Sequence, residues 1–338
     1  MKNVRIGIVG FGNVGRGFAQ ALKKNGDLYR RVYEINFYIT AIIDQNSGCA
    51  YDPDGIDLDQ LINANSIKDL NEAEHPNWNV ISMIQHSETD VILELTYTNL
   101  MTGEPAVLHI REAILSGKHV VTSNKGPIAL HYKMLSSLAN QNGVTIGIEG
   151  TVMSGTPALR MGTDLLFSSG ISSVRGIFNG TCNFILTEME KGLSFEDALK
   201  FAQDFGYAEA DPSGDVEGLD TAGKVAILSQ ILFDQKIEPM DIDYKGITKI
   251  TSEDIKTALK DNFRWKLIGS VKKVDDAIVA TVKPELLPLS NPLANVMGAT
   301  NAIQYETDLL GITTLIGPGA GRLETASALI QDLIAIFK

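Results

Sequence analysis

The first half of the chain alternates short, β-branched apolar runs with longer stretches in which apolar residues recur every three or four positions. Val4 to Val9 predicts a buried strand, Val14 to Lys24 a helix and Phe37 to Ile43 a second strand. Val91 to Leu95, Val120 to Thr122 and Val144 to Ile148 repeat the strand pattern between helical stretches. Alternation of this kind predicts an α/β architecture with a doubly wound, Rossmann-type parallel sheet. After Gly150 the pattern changes to glycine-rich turns and longer amphipathic helices, which marks a second, α+β domain. One such helix is expected from Ser194 to Asp204, with Ser194 and Asp197 as an N-terminal cap and Gly206 as the stop. The tail from Gly317 to Lys338 returns to a helix, with Leu323, Ala326, Leu329, Ile330, Leu333 and Ile334 on its apolar face behind the segment GPGAG. A helix of that kind can pack back on the first lobe. The expected division is therefore residues 1–135 with 305–338 as one discontinuous domain and residues 136–304 as the other. There is no internal repeat and no low-complexity linker.

Length agrees with two lobes, since 338 residues exceed what one hydrophobic core usually supports. With 44% hydrophobic and 21% charged residues the composition is that of an ordinary globular chain. Acidic residues outnumber Lys and Arg by 41 to 29, for a net charge of -12. Binding to nucleic acid or an anionic membrane needs basic patches, so neither partner is expected. The two cysteines, Cys49 and Cys182, cannot build a disulfide framework, which suits a reducing cytoplasm. The N-terminal run MKNVRIGIVGFGNVG ends in glycines rather than in a signal-peptide cleavage site. No apolar stretch approaches the roughly 18 residues of a membrane span.

The first candidate chemistry lies where that run ends. Gly10, Phe11, Gly12, Asn13, Val14 and Gly15 satisfy G-x-G-x-x-G directly after a predicted strand and at the start of a predicted helix, the context in which the motif binds a dinucleotide. Gly10 permits the tight turn, Gly12 lets the pyrophosphate reach the backbone, Gly15 allows close helix packing, and the helix N-terminus offers N–H groups to the anion. Asp44 ends the second predicted strand and can accept from the ribose hydroxyls. It lies further along than the usual spacing of about 20 residues, a delay that a basic-rich insertion around Lys23 to Arg31 would account for. No Lys or Arg follows Asp44 directly, so a 2′-phosphate would meet an uncompensated carboxylate. NAD is expected, with NADP as the alternative.

Five segments then carry a resemblance: GFGNVG at 10–15, ELTYTNLMTGEPA at 94–106, GKHVVTSNKGPIAL at 117–130, GTVMSGTPAL at 150–159, and NGTCNFILTEM with FGYAEADPSGDVEGLDTAGK between 179 and 224. In that order, over more than half the chain, they resemble the homoserine dehydrogenase family. The resemblance implies reversible reduction of L-aspartate 4-semialdehyde to L-homoserine, a step toward threonine and methionine, in a homodimer without an appended regulatory domain. It implies Lys224 as the proton-transferring group and Glu209 and Asp220 as the residues that hold the amino-acid substrate. Thr96 and Gly321 resemble cofactor-contacting positions of the family. A structural monovalent cation such as sodium is implied on backbone carbonyls at positions corresponding to Glu149, Val152, Ser154 and Thr156.

The residues support part of this by themselves. Asp220 and Lys224 are four apart, so on a helix they share a face and can present a carboxylate and an ammonium to one pocket. Negative charge develops on oxygen when hydride reaches an aldehyde carbon, and a placed lysine can neutralise or protonate it. The plainer reading of the same spacing is a solvent-exposed ion pair. Lys125 follows the apolar run HVVTS at the carboxyl end of a predicted strand and is a second candidate acid or anion-binding group that could also contact the cofactor. Cys182 departs from the family pattern, where threonine is usual, and reads as a packed thiol. Histidines 75, 86, 109, 119 and 131 show no metal-type pair. Two competing functions remain open at this point: a phosphorylating semialdehyde dehydrogenase that uses Cys182 as its nucleophile, and a dinucleotide sensor without catalysis.

Overall fold

The apolar runs of the first half become strands of one sheet: β1 (Lys2–Val9), β2 (Ile35–Asp44), β3 (Gly48–Tyr51), β4 (Val91–Glu94), β5 (His119–Thr122) and β6 (Ile146–Gly147). The computed structural model describes residues 1–70, 73–275 and 277–338. The strands run in the order β3-β2-β1-β4-β5-β6, with every neighbouring pair parallel except β2 and β3. Successive connections go outward from β1 on one side and then outward from β4 on the other, so the order reverses between these two strands. Five longer segments are helical: α1 (Asn13–Tyr33), α2 (Leu58–Asn63), α3 (Val80–His86), α4 (Ala106–Leu115) and α5 (Lys125–Gln141).

Both faces of the sheet are covered. Val4, Ile6 and Ile8 belong to a buried cluster with Phe18 and Leu22 of α1, which also takes in Leu329 and Leu333 from the end of the chain. Ile92 and Val120 lie in a second cluster with Ile110, Ile114 and Leu135 of α4 and α5. Each such side chain contributes about 1.5–3 kcal/mol when fully buried. The first helix is longer than its predicted span of Val14 to Lys24. It continues through the basic stretch, because Leu22, Gly26 and Tyr29 keep a buried stripe at helical spacing while Lys23, Lys24 and Arg31 face solvent. No separate insertion delays Asp44; the helix itself does. The run Val144 to Ile148 pairs over only two residues, so most of it is not strand.

A second sheet contains β7 (Ile171–Ile177), β8 (Asp243–Tyr244), β9 (Phe263–Val274), β10 (Ala277–Pro288), β11 (Thr300–Thr307) and β12 (Gly311–Pro318), in the order β12-β11-β7-β9-β10-β8. Its pairings are antiparallel except β8 with β10. The accompanying helices are α6 (Ala158–Arg160), α7 (Gly180–Glu190), α8 (Phe195–Asp204), α9 (Ser213–Val216), α10 (Leu219–Phe233) and α11 (Ser252–Lys260), with α10 packed on β9 and β10. Helix α8 starts and stops at the expected residues. The Ser194 Oγ accepts from Asp197 N–H at 3.1 Å, and Gly206 has φ +74°. The Asp197 carboxylate meets the Ser194 hydroxyl at 2.7 Å rather than its backbone N–H.

The C-terminal helix α12 (Arg322–Phe337) returns to the first sheet, which divides the chain into Met1–Gly155 with Gly321–Lys338 and Thr156–Ala320. Relative to the expected boundaries at 135 and 305, the first unit extends to Gly155 because β6 follows α5. The second extends to Ala320 because β11 and β12 occupy most of residues 300–318. Helix α12 crosses α1 at Gly17, where a Cβ atom would lie 2.2 Å from the Arg322 carbonyl oxygen. Only glycine permits that approach. No helix among the described residues is long and apolar enough to cross a membrane.

Candidate active site

The glycine segment forms the turn from β1 into α1. Gly10 has φ +89°, donates its N–H to the Ile43 carbonyl at 2.8 Å, and approaches Leu95 so closely that a Cβ would meet the Leu95 oxygen at 2.8 Å. Both the φ and the contact demand glycine. Helix α1 begins with Gly12 as its N-cap and therefore without a side-chain cap, and a Cβ at Gly12 would meet nothing within 4 Å. An uncapped helix terminus beside open space at the reversal of strand order is what a dinucleotide pyrophosphate needs. The residues fit the cofactor that the motif implies. Phe11 is buried, with its N–H on Asp44 Oδ2 at 3.0 Å; Asp44 Oδ1 accepts from Asn46 and Ser47 N–H at 2.9 and 3.2 Å. Asp44 is thus the last residue of β2 and ties two turns together. Carboxylate oxygens accept more than one hydrogen bond each, so capacity for a ribose hydroxyl remains.

Across the reversal, β4 ends in Glu94, which is fully buried. One of its oxygens accepts from the Thr96 N–H at 3.3 Å and from the Thr96 hydroxyl, with His109 Nδ1 at 3.4 Å; the other accepts from Asn124 Nδ2 at 3.2 Å. Asn124 also donates to the Thr96 and Tyr97 carbonyls, both at 3.1 Å, and its Oδ1 caps α5 through the Gly126 N–H at 3.2 Å. Lys125 is the first residue of that helix. Thr96 and Lys125 are therefore anchored to one buried carboxylate that the sequence reading passed over, although an acid ending the apolar run VILE was its visible signal. Gly321 has φ +139° and precedes α12, its carbonyl accepting from the Thr325 hydroxyl at 2.8 Å.

In the second unit α10 brings Asp220 and Lys224 together. Lys224 Nζ donates to Asp220 Oδ2 at 2.7 Å and to the Phe178 carbonyl at 2.6 Å. At 8% exposure Lys224 is buried, which overturns the solvent-exposed ion pair. Burial follows from the helix: Val225, Ala226, Ile227 and Leu228 around it are all fully buried. Asn179 caps α7 by accepting from the Cys182 N–H at 2.8 Å, while its Nδ2 donates to Asp220 Oδ2 at 2.9 Å and Asp215 Oδ1 at 2.6 Å. Asn179 and Asp215 lie in the quoted segments NGTCN and PSGDVEG, but spacing alone gave no reason to choose them. Glu209 is not among these bonds. It is exposed on the stretch after α8, where its carbonyl accepts from Gln203 at 3.0 Å.

Cys182 is fully buried and donates to the Asp215 carbonyl at 3.2 Å. Burial and the nearby Asp215 and Asp220 carboxylates push its thiol well above the ordinary range, so it supplies no thiolate nucleophile. Of the residues that the resemblance links to a cation, Glu149, Val152 and Ser154 belong to the first unit and Thr156 opens the second. Ser154 has φ +53° and pairs its hydroxyl with Thr325 at 2.7 Å. No group of three or more His, Cys, Asp or Glu side chains suited to a metal occurs among the described residues. Both ring nitrogens of His75 meet backbone carbonyls, at 3.0 and 2.9 Å.

Family comparison extends these local observations to the whole chain. Residues 10–149 match the model of the homoserine dehydrogenase NAD-binding domain, and residues 157–334 match that of homoserine dehydrogenase. An NAD(+)-dependent homoserine dehydrogenase of Pseudomonas canavaninivorans is 43% identical over 343 aligned positions, covering 100% of this chain and 97% of the relative. The homoserine dehydrogenase of Methanocaldococcus jannaschii is also 43% identical, over 98% of this chain and 97% of its own. The solved structure of a hyperthermophilic archaeal homoserine dehydrogenase in complex with NADPH superposes with a TM-score of 0.85 at 30% identity, over 99% of this chain and 97% of that one.

Proposed function

The chain belongs to the homoserine dehydrogenase family, and from that premise we propose how its own residues carry the reaction. It is an NAD(P)-dependent oxidoreductase that interconverts L-aspartate 4-semialdehyde and L-homoserine. When bound, the nicotinamide supplies or receives the hydride. In our reading Lys224 moves the proton, giving it to the substrate oxygen in reduction and taking it back in oxidation. One observation carries this assignment: the Lys224 ammonium is buried with two of its donors already directed, to Asp220 Oδ2 and the Phe178 carbonyl. An ammonium has three N–H donors, so one remains for the substrate oxygen, aimed by the other two. Asp220 supplies the opposing charge, and Asn179 fixes Asp220. Asp220 and Glu209 hold the amino-acid part of the substrate in this proposal. Lys125, placed by the Asn124 cap, is the second acid or anion-binding group.

The cofactor is held by Gly10 to Gly15, with Phe11, Asn13 and Val14 lining the turn, and by Thr96, Lys125 and Gly321. We assign NAD as the preferred form because Asp44 places a carboxylate at the end of β2. The relatives' names include both NAD(+) and NADPH. A sodium-like cation on the carbonyls of Glu149, Val152, Ser154 and Thr156, a homodimer and a cytoplasmic location complete the proposal. The exposed Ile312 and Ile316 of β12 favour a partner subunit, and Ser154, at φ +53°, gives the cation segment an irregular backbone.

The test is Lys224→Ala. General acid–base groups typically contribute about 10²–10⁴ in rate, so kcat should fall by that factor in both directions while a direct titration gives unchanged NAD affinity. A folded variant with the parental kcat removes Lys224 from the mechanism and leaves Lys125 as the leading acid.

A further inference from the structure

We propose that the buried carboxylate of Glu94 makes the cofactor site discriminate between redox states, favouring the oxidised, positively charged dinucleotide over the reduced one. The inference rests on the assignment of dinucleotide binding to the first unit. Glu94 is the last residue of β4, the strand across the order reversal from β1. Open α/β sheets take their ligands outside the carboxyl ends of the strands at that reversal. A nicotinamide bound at those strand ends would be cationic when oxidised and neutral when reduced, and a carboxylate there would act on the two forms differently.

Burial and bonding make this charge effective. Glu94 has no exposed surface, and its donors from Thr96 and Asn124 are uncharged groups that orient the carboxylate without cancelling it. The imidazole of His109 lies beside it, with Nδ1 at 3.4 Å. Solvent screening is weak at such a site, so the charge acts over distances at which an exposed acid would not. A buried carboxylate without a close cation is costly, and a cationic ring arriving at the strand ends relieves part of that cost. Thr96, whose hydroxyl donates to Glu94, is itself assigned to the cofactor surface, so the charge lies one hydrogen bond behind that surface.

The bonds to Thr96 and Asn124 would also allow a purely structural role, tying the turn after β4 to the start of α5. The two roles differ in one readout. A structural tie supports both redox forms alike, whereas a charge acts on the cationic form.

The experiment is Glu94→Gln in the full chain, which removes the charge at nearly constant shape, with NAD⁺ and NADH each titrated directly by calorimetry. Affinity for NAD⁺ should fall about tenfold and that for NADH by less than about twofold, a roughly five- to tenfold change in their ratio, equivalent to about 1.0–1.4 kcal/mol. Equal losses, or none, overturn the proposal. Asn124→Ala cuts the same turn but keeps the charge. Both affinities should fall there with their ratio unchanged, and a collapsed ratio counts against Glu94. Should Glu94→Gln not fold, His109→Gln leaves the carboxylate without its imidazole. The preference for NAD⁺ is then expected to hold or rise, and its loss overturns the idea. A wild-type chain that binds neither form removes the dinucleotide site, and the proposal with it.

Discussion

Replacing Lys266 with methionine should flatten the dependence of stability on pH in the alkaline range. Lys266 lies in β9 with no exposed surface, its Nζ donating to Asn183 Oδ1 at 2.9 Å and to the Val296 carbonyl at 2.6 Å. Burial lowers its pKa from 10.5 to about 8, against the opposing pull of Glu190. Below about pH 8 the folded and unfolded chains both hold this proton, and folding bears the whole cost of a buried charge. Between about 8 and 10.5 the unfolded chain holds the proton and the folded chain does not, so the contribution of this group rises with pH. At 1.36 kcal/mol per pKa unit the full change is about 3 kcal/mol. Methionine keeps the length and removes the titration. It leaves Asn183 Oδ1 without this donor, a cost of about 1–3 kcal/mol that does not vary with pH. The parent should therefore gain about 3 kcal/mol relative to Lys266→Met between about pH 7 and 10.5. Urea unfolding followed by circular dichroism at several pH values measures that difference, and parallel curves for the two proteins would refute the reasoning. The site is coupled to this residue, since Asn183 belongs to α7, the helix whose cap, Asn179, holds Asp220.

Asp44→Ala should weaken NAD binding more than NADP binding, because it removes a hydroxyl acceptor that also repels a 2′-phosphate; equal losses in direct titrations would deny Asp44 the role of discriminator. Asn179→Ala removes the α7 cap, worth about 0.5–2 kcal/mol, together with the donor that fixes Asp220. It should lower the melting temperature and cut kcat at least about tenfold with NAD affinity unchanged, and an unchanged kcat would show that Asp220 needs no such support.

The first sheet was legible because parallel strands buried on both faces read as continuous apolar runs, as Val4 to Val9 and Val91 to Leu95 do. The second was harder to see. β9 and β10 carry Lys, Ser, Thr and Glu among their apolar residues, and Lys266 in a buried position goes against the usual sorting of charge. Asp220 and Lys224 could be paired from their spacing, but the spacing does not say whether water reaches them. That depended on α10 being apolar nearly all round. His109 and Asn124 lie 15 and 30 residues beyond Glu94; nothing local links them, and Asn124 meets Glu94 because β4 and β5 are neighbours while His109 meets it because α4 packs on β4. Glu209 was chosen from family resemblance alone, and among the described residues its bond is the one its carbonyl accepts from Gln203, away from Lys224.

The crossing of α12 over α1 at Gly17 also sets an order of assembly. The two helices flank Thr156–Ala320 in sequence, so the first unit cannot be completed until α12 has left the ribosome, at about 5–20 residues per second. By then the strands of Thr156–Ala320 have all been synthesised. If that unit folds first, it shortens the effective loop that α12 must close to reach α1, which lowers the entropy to be overcome. Synthesis thus begins the nucleotide-binding unit before the other and completes it afterwards.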